Sequence, residues 1–279
     1  MSLRETRLDR ALGAAPTVTA GPRPLAETLA FAWRAILKIR HNPEHAFDVV
    51  VTPVMFTVLF TYLFGGAVAG STDAYLQFLL PGILVQTVMF TSIYTGFILN
   101  QDIQRGVFDR FRAMPIWRPA PIAGAILGDV VRYTVSAMLV LAVGLVMGFR
   151  IEGGAGALLA ALMLLNVFAL GIGWIFTAFA LKVRTPGTVM THSWLVLMPV
   201  TFGSNIYVAP ETMPGWLQAF VTVNPVSHIT TALRGLLGGD LSLSAVALAL
   251  VTPFAVTAVF GPISMWLYGR ARVSTATSI

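Results

Sequence analysis

Asp129 and Arg132 stand three residues apart on the approach to a long apolar stretch. At helical spacing they share a face and can form an ion pair. Two readings are open for it: a coupling link between a helix outside the membrane and the bundle within it, or an interface salt bridge with the arginine reaching for headgroups. His41 and His45 are at i, i+4 beside Glu44, but Pro43 interrupts the helix between them, so no metal site is expected. Gln86, Asn166, His192 and Asn205 are polar residues set in apolar surroundings. They are candidates for a substrate path, and each also suits a hydrogen bond between helices. Catalytic signatures are missing. There is no GxxxxGK[ST], and "GGAVAGST" at 65–72 lacks the phosphate-binding lysine. HExxH and GxSxG do not occur, and with no cysteine there is no thiolate nucleophile, thiolate metal site or disulfide. No catalytic residue and no bound cofactor or metal is expected.

The elements that must position these residues are apolar helices. Charged residues make up 11% of the chain and hydrophobic ones 56%, whereas soluble domains carry roughly 25% charged residues. The intervals 49–72, 74–101, 133–149, 153–181, 185–210, 212–233 and 241–269 contain no Asp, Glu, Lys or Arg. Each is long enough to cross a hydrocarbon core, which takes about 20 residues. Pro214 and Pro225 break the interval 212–233 and its second half is polar, so it reads as short extracellular helices within about 207–240. Six spans remain, at about 48–69, 77–99, 126–149, 156–181, 187–206 and 243–268.

Charge placement tests that count. With both termini in the cytoplasm, sixteen of the eighteen Lys and Arg lie inside and only Arg150 and Arg234 outside. A seventh span would move Arg270 and Arg272 outside. The net charge of +6 therefore reports orientation in a plasma membrane and not a nucleic-acid partner. No span has a central Asp or Glu, which disfavours an ion-coupled carrier. Residues 1–24 read as a flexible cytoplasmic tail, and 25–279 as a single transmembrane domain.

In "LAETLAFAWRAILKIR" (25–40), Leu25, Leu29, Ala32 and Ile36 fall on one side and Glu27, Arg34 and Lys38 opposite. This predicts a helix over 25–41 lying in the membrane interface, with Trp33 at headgroup depth. The pairs Gly66/Gly70, Gly124/Gly128 and Gly144/Gly148 have the spacing that permits close helix approach. Pro53, Pro81, Pro199, Pro253 and Pro262 are expected to kink or break spans.

Between spans two and three lies "GVFDRFRAMPIWRP" (106–119). Gly106 can open a turn and Pro115 can close a short helix, placing it at about 106–115. Val107, Phe108, Phe111 and Met114 fall within about 120° at helical spacing. A helix of two turns is unstable alone in water, so this one asks for a partner; aromatics and arginines are the residues that carry interface energy. "GVFDRFRAMPIWRPAPIAGAILGDVVR" (106–132) resembles the cytoplasmic segment of type-2 ABC exporter permeases, above all the daunorubicin-resistance-like group. "FTYLFGGA" (60–67) and "VNPVSHITTALRGLLGG" (223–239) are similar to that family as well.

The resemblance implies a membrane subunit that dimerises, most simply with its own kind, and sits on two separate ABC ATPase subunits that hold the ATP and Mg. It implies that 106–115 is the coupling helix, with Val107, Phe108 and Phe111 filling a groove of the ATPase and Asp109, Arg110 and Arg112 making charged contacts around it. The cargo would be an amphiphilic drug, antibiotic or lipid, moved outward between the protomers amid membrane lipids. A self-sufficient secondary carrier, a scaffold without transport, and within the family a polysaccharide or glycolipid exporter are the alternatives.

Overall fold

The computed structural model describes residues 23–270 apart from 42, 113–115 and 118. The expectations for the tail 1–22, the His41/His45 pair and the side chains of Lys38, Phe108, Asp109 and Arg112 lie outside the described residues. Among the described residues the structure is helical throughout, without strands. The helices are α1 (Pro24–His41), α2 (Pro43–Ala69), α3 (Thr72–Gln104), α4 (Val107–Arg112) and α5 (Ala120–Val146). They continue with α6 (Gly154–Lys182), α7 (Pro186–Phe202), α8 (Gly215–Val223), α9 (Pro225–Gly238) and α10 (Leu243–Arg270). An apolar solvent offers the backbone no hydrogen bonds, and a helix satisfies its own.

Five helices are long and apolar enough to cross a membrane: 51–69 of α2, and α3, α5, α6 and α10. The sixth expected span is α7, which has 17 residues. Thr185 caps its start, with the side chain accepting from the Thr188 amide, and Gly203 closes it. At 1.5 Å per residue that is about 26 Å, a little short of a ~30 Å hydrocarbon core. The expected prolines do not break their helices. Pro53, Pro81, Pro199, Pro253 and Pro262 all lie inside continuous ones, as happens where neighbouring helices support the freed backbone.

The bundle is built around α3, whose apolar window is 89% buried, against 22% for α2 and 11% for α10. Helices α2, α5, α6, α7 and α9 pack round it, and α10 lies on α6. With 33 residues, α3 is about 50 Å long. It therefore outreaches the hydrocarbon layer and carries α4 on its far end. Arg105 closes α3, and Gly106, at φ +66°, turns the chain into α4.

Helix α1 packs along α5. A Cβ on Gly124 would stand 2.4 Å from the Phe31 Cβ, and one on Gly128 2.5 Å from the Ala35 Cβ. This GxxxG pair is thus a close helix contact, whereas Gly66 meets nothing within 4 Å. Thr28 and Ala32 of α1 are buried, so Ala32 faces α5 and not the expected lipid side, while Leu25, Leu29 and Trp33 are exposed. Gly124→Leu is expected to lower the melting temperature of the detergent-purified protein by an overpacking cost of about 1–3 kcal/mol. The matched Gly66→Leu should melt like the parent; equal melting of both variants contradicts the contact.

Candidate functional site

Two polar assemblies lie along the path from α4 into the bundle. The first holds α4. Its Phe111 ring meets the Phe31 ring of α1 edge-on, with centroids 4.9 Å apart. The Arg34 guanidinium lies over the same Phe111 ring at 5.0 Å and pairs with Asp102, near the end of α3, at 3.5 Å. Beyond α4, the Trp117 amide donates to Glu27 Oε2 at 2.6 Å, and the other Glu27 oxygen accepts from the Arg23 amide at 3.0 Å. Each contact is modest. An ion pair with one side chain 44% exposed contributes at most about 1 kcal/mol, and an aromatic pair about 0.5–1.5 kcal/mol beyond its burial.

Of the six residues expected to meet a partner through α4, Arg110 is exposed and Val107 half-buried. Phe111 is turned inward and engaged within the chain. Glu27 and Asp102 carried no signal as its supports, because no local pattern links Glu27 to Trp117 or Arg34 to Asp102, so far apart in the chain.

The second assembly is the Asp129–Arg132 pair on α5, at 3.0 Å. It is buried, with 5% and 7% exposure, so the arginine does not reach for the surface. The Thr95 hydroxyl on α3 donates to Asp129, and accepts from Arg132 at 3.1 Å and from the Tyr133 hydroxyl at 2.8 Å. Arg132 also donates to the Thr91 carbonyl at 3.2 Å. The pair therefore fastens α5 to α3 just beyond Gly128, where α1 touches α5. Thr95 and Tyr133 carried no signal in the sequence, since a threonine in an apolar helix is unremarkable until its neighbour is known.

The four candidate path residues are not gathered into one site. Gln86 is fully buried on α3 and accepts from the Tyr207 hydroxyl at 2.7 Å. Asn205 donates to Thr231 at 2.9 Å, so these two share the corner formed by α3, α9 and the segment joining α7 to α8. Asn166 instead bonds Thr134 at 3.0 Å and the Leu162 carbonyl at 2.8 Å. His192 is exposed on α7, with Nδ1 3.0 Å from the Thr188 carbonyl. The corner at Gln86 is organised by Arg234, which donates to the carbonyls of Phe78 (2.8 Å), Asn205 (2.7 Å) and Ile206 (3.0 Å). Its guanidinium stacks 3.6 Å from the Phe78 ring centroid. Burial pushes the Arg234 pKa down to about 9, which leaves it cationic at neutral pH. As one of two arginines stranded away from all the others, it was visible in the sequence as an oddity without a role. Among the described residues no cluster of His, Cys, Asp or Glu could hold a metal.

Removing one partner of a buried ion pair strands the other charge, at a cost of about 3–5 kcal/mol. Arg132→Ala is therefore expected to reduce the yield and melting temperature of the purified protein sharply. Adding Asp129→Asn should recover part of the loss; additive effects in this double-mutant cycle contradict the pairing.

Residues 26–237 match the model of the ABC-2 type transporter family. The chain is 46% identical over 256 residues to a daunorubicin resistance ABC transporter permease of Streptomyces coeruleorubidus, covering 90% of each chain. It is 28% identical over 187 residues to a doxorubicin resistance ABC transporter permease of Mycobacterium tuberculosis, covering 66% of this chain and 64% of that one. A bundle of long apolar helices and a match over three quarters of the chain lead to one assignment: this is a multi-pass membrane protein of the ABC-2 type transporter family, a permease related to those of drug-resistance transporters.

Proposed function

We propose that this chain is the membrane subunit of an ATP-driven exporter that moves amphiphilic compounds, drugs or lipids among them, out across the plasma membrane. Separate ABC ATPase subunits bind and hydrolyse the ATP with its Mg, and this chain contributes no catalytic residue. The observation that carries the reading is α4: a six-residue helix held at the far end of the most buried helix, with Arg110 turned outward. A helix that short has no stability of its own, and its placement suits a partner outside the membrane. The similarity to drug-resistance permeases supports the cargo class.

In this reading α7 is the sixth span, both termini are cytoplasmic, and α8 and α9 dip back from the outer surface. Leu25, Leu29 and Trp33 of α1 rest in the lipid interface, and two copies of the chain pair to form the path. Val107, Arg110 and the neighbouring Phe108, Asp109 and Arg112 meet the ATPase, while Phe111 seats α4 on α1.

Reconstituted with its cognate ATPase in lipid nanodiscs, the chain is expected to raise ATP hydrolysis above that of the ATPase alone. Arg110→Glu should weaken the complex in a salt-dependent way, as a charge at an interface rim does. Phe111→Asp should abolish it by unseating α4. Export driven by an ion gradient with no ATPase present contradicts the proposal and supports a self-sufficient carrier.

A further inference from the structure

The contacts around α1 assign it a role beyond resting in lipid. One guanidinium, that of Arg34, joins three helices. It projects from α1, pairs with Asp102 of α3 at 3.5 Å and lies 5.0 Å from the Phe111 centroid of α4. One carboxylate, that of Glu27, takes the Trp117 amide on the segment leaving α4 at 2.6 Å. The helix so fastened to both sides of α4 is itself set on α5 at Gly124 and Gly128, which meet the Cβ atoms of Phe31 and Ala35 and the carbonyls of Thr28 and Ala32. Glycine against Cβ and backbone atoms leaves no flexible side-chain end on the α5 side to absorb a shift. We infer that Glu27 and Arg34 are positioning residues that yoke α4 to α1, so that a displacement imposed on α4 passes through α1 into α5.

The bonds of the yoke lie at the rim of the bundle, where the Arg34 side chain is 44% exposed and Asp102 is buried. A half-exposed ion pair and a rim hydrogen bond contribute about 1 kcal/mol or less each, so the fold does not depend on them. The buried Asp129–Arg132 pair next along the path is not of that kind. Losing the yoke should therefore leave the fold and the outward face of α4 in place while spoiling transmission. The signature is slippage: ATP is hydrolysed without a matching amount of cargo moved.

This inference rests on the proposed coupling to an ATPase, and the test separates the two. The chain and its ATPase are reconstituted in proteoliposomes with daunorubicin as probe, and complex formation, ATP hydrolysis and drug moved per ATP are measured. Arg34→Glu, which sets a like charge against Asp102, is expected to keep the complex and its hydrolysis while drug moved per ATP falls several-fold. Arg34→Lys keeps the charge and should recover much of that ratio; Glu27→Gln, which retains one of two acceptor oxygens, should lower it to a lesser degree. Should Arg34→Glu fail to assemble, Glu27→Gln against the parent decides the matter. An unchanged ratio in the variants overturns the yoke alone. A parent that moves no drug with ATP overturns the proposed function instead.

Discussion

The structure depends on the burial of one helix. Helix α3 is apolar on every side, and a helix of that kind is stable only when surrounded. Its own hydroxyls are satisfied locally: Thr87, Thr91 and Ser92 each bond the carbonyl four residues back. The remaining polar groups fasten neighbours to it at successive heights. Tyr75 and Gln86 hold Tyr207, Thr95 holds the ion pair of α5, and Asn100 caps the end of α6 through the carbonyls of Ala180 and Val183. Close to its last turn Asp102 holds Arg34 of α1. In a layer without water each such bond replaces an unsatisfied group, so together they fix the register of the bundle.

The bonds are graded along that post. In the middle the Asp129–Arg132 pair is sealed from solvent, and breaking it strands a charge. At the α4 end the contacts of Arg34, Glu27 and Phe111 are half-exposed and individually weak. A device that converts motion in a water-soluble partner into motion among membrane helices needs this gradient. In the proposed coupling its outer joint carries α1 along with α4, and its inner joint must not slip.

Much of this architecture could be read from the sequence because charge is expensive in hydrocarbon. The charge-free intervals located the five helices long and apolar enough to cross a membrane, and Pro214 and Pro225 set 212–233 apart from them. The segment 106–119 stood out by contrast, a basic and aromatic run between apolar ones, and Gly106 does turn the chain there. What stayed hidden depended on partners distant in the chain. Phe111 was expected to face outward because its apolar neighbours do so on a helical wheel, but Phe31, eighty residues earlier, claims its ring. Whether Arg132 linked into the bundle or reached for headgroups was open, since nothing near it in sequence shows that Thr91 and Thr95 are waiting on α3. The GxxxG pairs were alike in sequence, yet both members are used for close approach only in the one facing α1; of Gly144 and Gly148, Gly144 alone is packed, against Leu80 of α3, and Gly66 and Gly70 meet nothing.

The central claim is that α1 and α4 move together. The chain has no cysteine, so spin labels can be placed singly without background. Labels on a Trp33→Cys, Arg110→Cys variant, with unlabelled chain in excess, report the α1–α4 distance by pulsed electron resonance; labels on a Leu248→Cys, Arg110→Cys variant, Leu248 lying on α10, report α4 against the bundle. Between the nucleotide-free and ATP-trapped complexes the account predicts an unchanged first distance and a shifted second one. A first distance that shifts or broadens on trapping ATP contradicts it.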